Sequence, residues 1–118
     1  MKLMIASKNK HKIAEIKDIL SDLKLEVQNA LDFPEIPDVI EDRETIEGNA
    51  IKKAVEVAKR TGLLTMADDT GLFVEALQGE PGVYSARYAG ENATYKDNCD
   101  KMLNEMKNEK NREAHFKT

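Results

Sequence analysis

The sequence predicts an α/β fold, a mixed sheet with flanking helices. Three observations predict it. A short apolar run, "KLMIA" (residues 2–6), gives way within a few residues to isoleucines at helical spacing. A second helical stretch ends at a glycine and is followed at once by another apolar run, "LLTMA". The hydrophobic period then keeps changing between two and about 3.6, as a chain does when strands and helices alternate.

Taken in order, Lys2–Ala6 reads as a buried strand. Ile13, Ile16, Ile19, Leu20 and Leu23 recur on one helical face, so a helix is expected over roughly Lys10–Leu23. "LEV" (residues 25–27) suits a second strand. "DFPEIPDVIEDRE" has two prolines and many acids and reads as a loop, yet Phe33, Ile36, Val39 and Ile40 punctuate it, so it is no linker between domains. Thr45 is placed to cap a helix running to about Arg60, with Gly62 at its C-terminal stop. "LLTMA" and "LFVEAL" are expected strands around an acidic turn, and "QGEPGVYSARYAGEN" is a Gly-rich loop. Thr94 caps a third helix with Tyr95, Cys99, Met102, Leu103 and Met106 on one face. "EAHFKT" starts a period-two pattern with no partner after it. That ending is open to two readings, a short domain with a frayed end or the N-terminal part of a longer protein.

The bulk numbers bound the function. The 118 residues suffice for one domain with a modest core, and 41% hydrophobic with 34% charged residues is a globular composition. A net charge of −4 argues against a general nucleic-acid binder, so any phosphate binding is local. The single cysteine, Cys99, forms no internal disulfide, which fits a reducing compartment. The first apolar run is too short for a signal sequence or a membrane span. The expected location is cytoplasmic.

Polar chemistry concentrates in three clusters. "SKNKHK" follows the first strand and opens the first helix, where unpaired N–H groups and the helix dipole favour an anion. Ser7 and Asn9 add neutral donors there. Lys8, Lys10 and Lys12 add charge, and His11 adds an imidazole. The glycines of a Walker loop are missing, and a solvated lysine-rich turn is the plain alternative. In "EDRETIEGNAIKKA", Asn49 and Lys53 share a helix face, with Glu41 in the loop before. In "TMADDTGL", Asp68 and Asp69 end an apolar approach. Adjacent carboxylates at a strand end suit a hard divalent cation, which would bridge to phosphate oxygens. A tight Asp-Asp-Thr-Gly turn is the alternative.

Four segments, "SKNKHK", "ETIEGNAIKKA", "ADDTGL" and "GEPGVYSARYAG", occur in an order and spacing that resemble the inosine/xanthosine triphosphate pyrophosphatase family, from Lys2 to the last residue. The resemblance implies hydrolysis of ITP, XTP and dITP to monophosphate and pyrophosphate, a Mg²⁺ cofactor, a homodimer, and a two-lobed fold with a long mixed sheet. It implies that Ser7, Lys8, Asn9, Lys10, His11 and Lys12 cradle the triphosphate, that Lys53 faces the phosphates, and that Glu41 binds metal. Asp69 would be proton acceptor and metal contact, with Asp68 its partner. Thr70 stands where the family has serine, and Lys8 and His11 stand where glycine or a small residue is common. The family's Phe-Gly-Tyr-Asp and Ser-His-Arg segments, which read the purine base, do not occur. The expectation is therefore one domain, residues 1–118, with the N-terminal phosphate-and-metal part of the fold, lacking base reading and inactive alone. Two alternatives stay open. One is a non-catalytic phosphate-binding or dimerisation module. The other is a related modified-nucleotide pyrophosphatase of the septum-inhibition type, whose opening motif "IASKNKHK" fits poorly.

Overall fold

A computed structural model describes residues 1–118. The chain forms two compact units, one of Met1–Arg43 with Glu47–Asp68 and one of Glu44–Ile46 with Asp69–Thr118. No helix is long and apolar enough to cross a membrane.

The first unit holds β1 (Lys2–Ile5), α1 (Lys10–Ile19), β2 (Glu26–Asn29), nearly all of α2 (Ile46–Thr61) and β3 (Leu64–Met66). Its sheet is wholly parallel, in the order β2-β1-β3. The chain goes from β1 to one neighbour through α1 and returns past it to the other through α2. β1 is therefore the central strand, and the sheet reverses direction beside it. Successive β-residues face opposite sides of a sheet, and Met4 and Ile5 are both 0% exposed, so β1 is covered on both faces. Met4 and Ala6 share one face and pack with Ala30, Ile36 and Val57, bringing α2 and the proline-bearing loop onto the same core.

Helix α1 begins where Asn9 caps it and stops earlier than the isoleucine spacing predicts. Leu20 N–H bonds back to Ile16 and Asp18, and Ser21 and Asp22 follow, residues whose side chains compete with the helical backbone. Ile13 is buried, but Ile19 and Leu23 lie exposed, so the apolar stripe is buried only at its N-terminal end. The second strand is displaced to Glu26–Asn29, one to two residues beyond the "LEV" expected. α2 matches its expected span, and Gly62 takes φ +70° after its last residue, a left-handed stop that glycine adopts without strain.

The second unit has an antiparallel sheet in which β4 (Gly71–Val74) lies between β5 (Pro81–Gly82) and β6 (Ala114–Lys117). The expected α/β class with parallel and antiparallel pairing is met, by two three-stranded sheets, one parallel and one antiparallel. β6 is the strand expected from "EAHFKT". Its partner lies upstream: Gly71 to Val74 of β4 pair with Lys117 to Ala114, and His115 stacks on Phe73 with ring centroids 5.2 Å apart. α3 (Tyr95–Glu105) carries the capping box of Thr94 and Asp97. Its expected apolar face is only partly covered, since Met106 is buried while Tyr95 and Leu103 are 80% and 66% exposed.

Gly71 departs from the turn reading of "DDTG". It is the first residue of β4, and a Cβ there would lie 2.5 Å from the Gly82 carbonyl oxygen and 2.9 Å from Ile46 Cδ1. Glycine is required by the close approach of the neighbouring backbone, not by a left-handed turn.

Candidate functional site

In open α/β sheets, ligands bind beyond the carboxyl ends of the strands, at the point where strand order reverses. In the first unit that point is the crevice between β1 and β3. The chain leaves β1 through Ala6 and Ser7 and leaves β3 through Ala67 and Asp68, with Ala6 N–H donating to Met66 O at 2.9 Å. The first and third polar clusters of the sequence converge here. Lys12 Nζ lies 2.8 Å from Asp68 Oδ2, and both side chains are about one-quarter exposed (29% and 23%).

The turn from β1 into α1 is built by its own side chains. Ser7 Oγ accepts from Asn9 N–H at 3.1 Å, and Asn9 Oδ1 accepts from His11 N–H at 3.0 Å and Lys12 N–H at 3.2 Å. Asn9 is therefore the helix cap, a role beyond the neutral donor expected for it. Its side-chain carbonyl is committed to the helix. Lys8 donates to the Ile36 carbonyl at 3.3 Å and pairs with Asp38 at 2.7 Å, which ties the turn to the proline-bearing loop. Lys10 and His11 are exposed.

Helix α2 organises the acidic loop. Lys53 Nζ pairs with Glu41 Oε1 at 3.1 Å. Its neighbour Lys52 donates to the Ile40 carbonyl at 2.6 Å and to Asp42 Oδ1 at 2.8 Å. The hydrogen bond from Lys52 holds the Asp42 carboxyl below the usual carboxylate range. Asn49, 0% exposed, accepts from Arg43 N–H at 2.9 Å, so it is a buried anchor for the loop, whereas its spacing suggested only a shared face with Lys53. Four consecutive loop residues, Ile40 to Arg43, are thus gripped by one face of one helix. The sequence reading took Lys53 and Glu41 and passed over Lys52, Asp42 and Asp38. A signal was available: the acidic doublet Glu41-Asp42 meets the basic doublet Lys52-Lys53 in antiparallel order.

Asp69 and Thr70 open the second unit. Asp69 is 8% exposed, and the Thr70 hydroxyl lies 3.1 Å from that of Thr118. No group of three or more His, Cys, Asp or Glu side chains is gathered at metal-binding distance. Mg²⁺ does not ask for one. It is held through one or two carboxylates plus substrate phosphates and keeps several waters. The donors are of the right kind, all carboxylate oxygens, and Glu41 and Asp68 each stand beside a lysine that a phosphate could claim.

A model of the Ham1 family matches residues 3–118. A dITP/XTP pyrophosphatase of Flavobacterium johnsoniae is 51% identical over 118 residues, covering 100% of this chain and 61% of the relative. A dITP/XTP pyrophosphatase of Desulfotalea psychrophila is 46% identical over 114 residues, covering 97% of this chain and 51% of the relative. Among solved structures, a HAM1 protein from Coxiella burnetii superposes with a TM-score of 0.86 at 40% identity, over 98% of this chain and 59% of that one. The Staphylococcus aureus Ham1 protein gives 0.82 at 43% identity, over 98% and 59%. The chain spans 51% and 61% of the length of these two curated relatives. With the family pattern matched over nearly every residue and half the positions shared with such a relative, the chain belongs to the Ham1 family.

Proposed function

We propose that this chain carries the phosphate-and-metal residues with which non-standard purine nucleoside triphosphates of the ITP, XTP and dITP kind are hydrolysed to the monophosphate and pyrophosphate, turnover by these 118 residues alone being very low. The observation that carries the reading is the pair of lysine–carboxylate contacts in the first unit, Lys12 with Asp68 and Lys53 with Glu41. Each can open in the same way: the lysine turns to a phosphate and the carboxylate to a cation. The names of the relatives supply the substrate class.

In this reading Ser7, Lys8, Asn9, Lys10, His11 and Lys12 bind the triphosphate from the helix N-terminus, with Lys53 facing it from α2. Glu41, Asp68 and Asp69 would hold Mg²⁺, which when bound neutralises phosphate charge and polarises the phosphoryl oxygens. Asp69 takes a proton from the attacking water. The water oxygen bonds to the α-phosphorus, and the bond from that phosphorus to the bridging oxygen breaks, its electron pair leaving with pyrophosphate. Lys12 and Lys53 stabilise the charge that develops on the departing oxygens. Thr70 keeps a hydroxyl beside the base. The same reading gives a cytoplasmic homodimer with neither nucleic-acid nor membrane partners, and sedimentation of the purified protein checks the dimer.

The test is release of pyrophosphate and dIMP from dITP in Mg²⁺, compared with dATP, for the parent and Asp69→Asn. Loss of a general base lowers turnover about 10²–10⁴-fold while nucleotide affinity is largely kept. A variant that releases pyrophosphate at the parental rate removes Asp69 from the chemistry. Tight binding of Mg²⁺–triphosphate with no turnover in the parent would favour a binding module instead.

A further inference from the structure

The loop 37–43 has no helix or strand to fix it, yet it carries Glu41, the carboxylate the proposed function assigns to metal. Its conformation is fixed by the contacts it makes, and those of the residues immediately before and after Glu41 come from one side chain. Lys52 Nζ binds the carbonyl of Ile40 at 2.6 Å and the carboxylate of Asp42 at 2.8 Å. Lys52 is only 15% exposed. Glu56, one turn on, stands 3.9 Å away on the same helix and adds a second carboxylate to its surroundings. An ammonium has three N–H donors and no acceptor. Two of them span the residues before and after Glu41, so the Glu41 side chain projects from a segment pinned at both ends, toward Lys53 at 3.1 Å.

From this arrangement we infer that Lys52 is a positioning residue for Glu41, acting on divalent-cation binding through the loop backbone and Asp42 without touching the nucleotide. The inference rests on the reading of Glu41 as a metal-binding group. It assigns the two adjacent lysines different tasks. Lys53 is displaced from its carboxylate when ligand arrives, whereas Lys52 keeps both of its contacts throughout.

Calorimetry separates the possibilities, with inorganic tripolyphosphate as the probe, titrated with and without Mg²⁺. Lys52→Met keeps most of the apolar stem and removes the ammonium. Its Mg²⁺-dependent affinity falls about 10-fold or more, the range for losing a group that orients a metal ligand, while metal-free tripolyphosphate binding is unchanged. Lys52→Arg, which keeps the charge and the donors, restores most of the loss. In a Glu41→Gln background, Lys52→Met adds nothing further, since the group it positions has gone. Asp42→Asn, which removes one arm of the clamp at an exposed carboxylate, gives the same pattern more weakly and serves where Lys52→Met folds poorly. An equal loss of metal-free binding in Lys52→Met, or an undiminished further loss on top of Glu41→Gln, overturns the inference by making Lys52 a phosphate contact. If Glu41→Gln weakens Mg²⁺-dependent binding and neither Lys52→Met nor Asp42→Asn does, the positioning role alone is refuted. If Glu41→Gln itself has no effect, the metal reading of Glu41 falls and this inference falls with it.

Discussion

Replacing Lys53 with methionine should move two affinities in opposite directions. Lys53 and Glu41 pair at 3.1 Å with side chains 14% and 24% exposed, too wet for a deeply buried pair and too sheltered for a fully solvated one. An ion pair near the surface contributes about 0.2–1 kcal/mol, and a metal ion that takes Glu41 must first displace the lysine. Removing the lysine therefore raises Mg²⁺ affinity, measured with the metal alone, by up to about fivefold, the upper end of that range at 1.4 kcal/mol per decade. The tripolyphosphate loses a charge-assisted hydrogen bond of about 1.5–3 kcal/mol, so its affinity falls about 10–100-fold. Methionine keeps the apolar length of the side chain, so α2 packs as before. Calorimetric titration with Mg²⁺ alone and with Mg²⁺–tripolyphosphate reads both numbers. If both affinities fall together, the pair holds the site's shape and is not exchanged on binding. If tripolyphosphate affinity stays at the parental value, Lys53 is no phosphate ligand.

Other consequences concern the second unit. Gly71→Ala drives a Cβ to within 2.5 Å of the Gly82 carbonyl oxygen, and because that neighbour is backbone it cannot swing aside; the cost is about 1–3 kcal/mol in a denaturant titration, and an unchanged midpoint would show that β4 and β5 separate freely. The Glu113 carboxyl is held above its ordinary value by a hydrogen bond and charge repulsion from Glu75, so the folded state binds its proton more tightly than the unfolded state and stability falls as pH rises through that window. Glu113→Gln should therefore melt higher than the parent near neutrality, with the gap closing in acid; a gap independent of pH refutes the assignment. Thr94→Ala removes the hydroxyl that accepts from Asp97 N–H at 3.2 Å, and should cost about 1 kcal/mol by the same titration.

Much of the first unit was legible because short-range patterns and tertiary demands agree there. The strand at Lys2–Ile5 and the glycine-stopped α2 follow from local chemistry that the core then reinforces. The sequence pattern misled where a local stop interrupts the period and where a pairing is long-range. Ile19 and Leu23 continue the helical spacing of α1, but Ser21 and Asp22 end the helix first. The strand "EAHFKT" was visible as a period-two run, whereas its pairing with β4, some forty residues upstream, leaves no local trace. Within the candidate site, the residue types were legible and their engagements were not. Asn9 suited either phosphate binding or helix capping from its letter alone, and the structure gives its carbonyl to the cap.

The glycine of "ADDTGL" separates two explanations that the sequence left open. A tight turn would have used Gly71 for a left-handed backbone and would have made Asp68 and Asp69 its ordinary polar flanks. Gly71 is instead extended, at the start of β4, where the backbone of β5 and the Ile46 side chain limit it. The turn explanation loses its strongest support, since the glycine has a packing reason of its own. The two acids then need a separate reason. Asp68 is ion-paired with a lysine from the helix-opening motif, at the carboxyl end of the parallel sheet. Asp69, its neighbour in sequence, is 8% exposed, where a carboxylate is retained against the cost of desolvation. Neither placement is what a solvated turn would give. In the proposed function both acids would serve phosphate and a hard cation, and this makes the doublet the first place to mutate when the chemistry is tested.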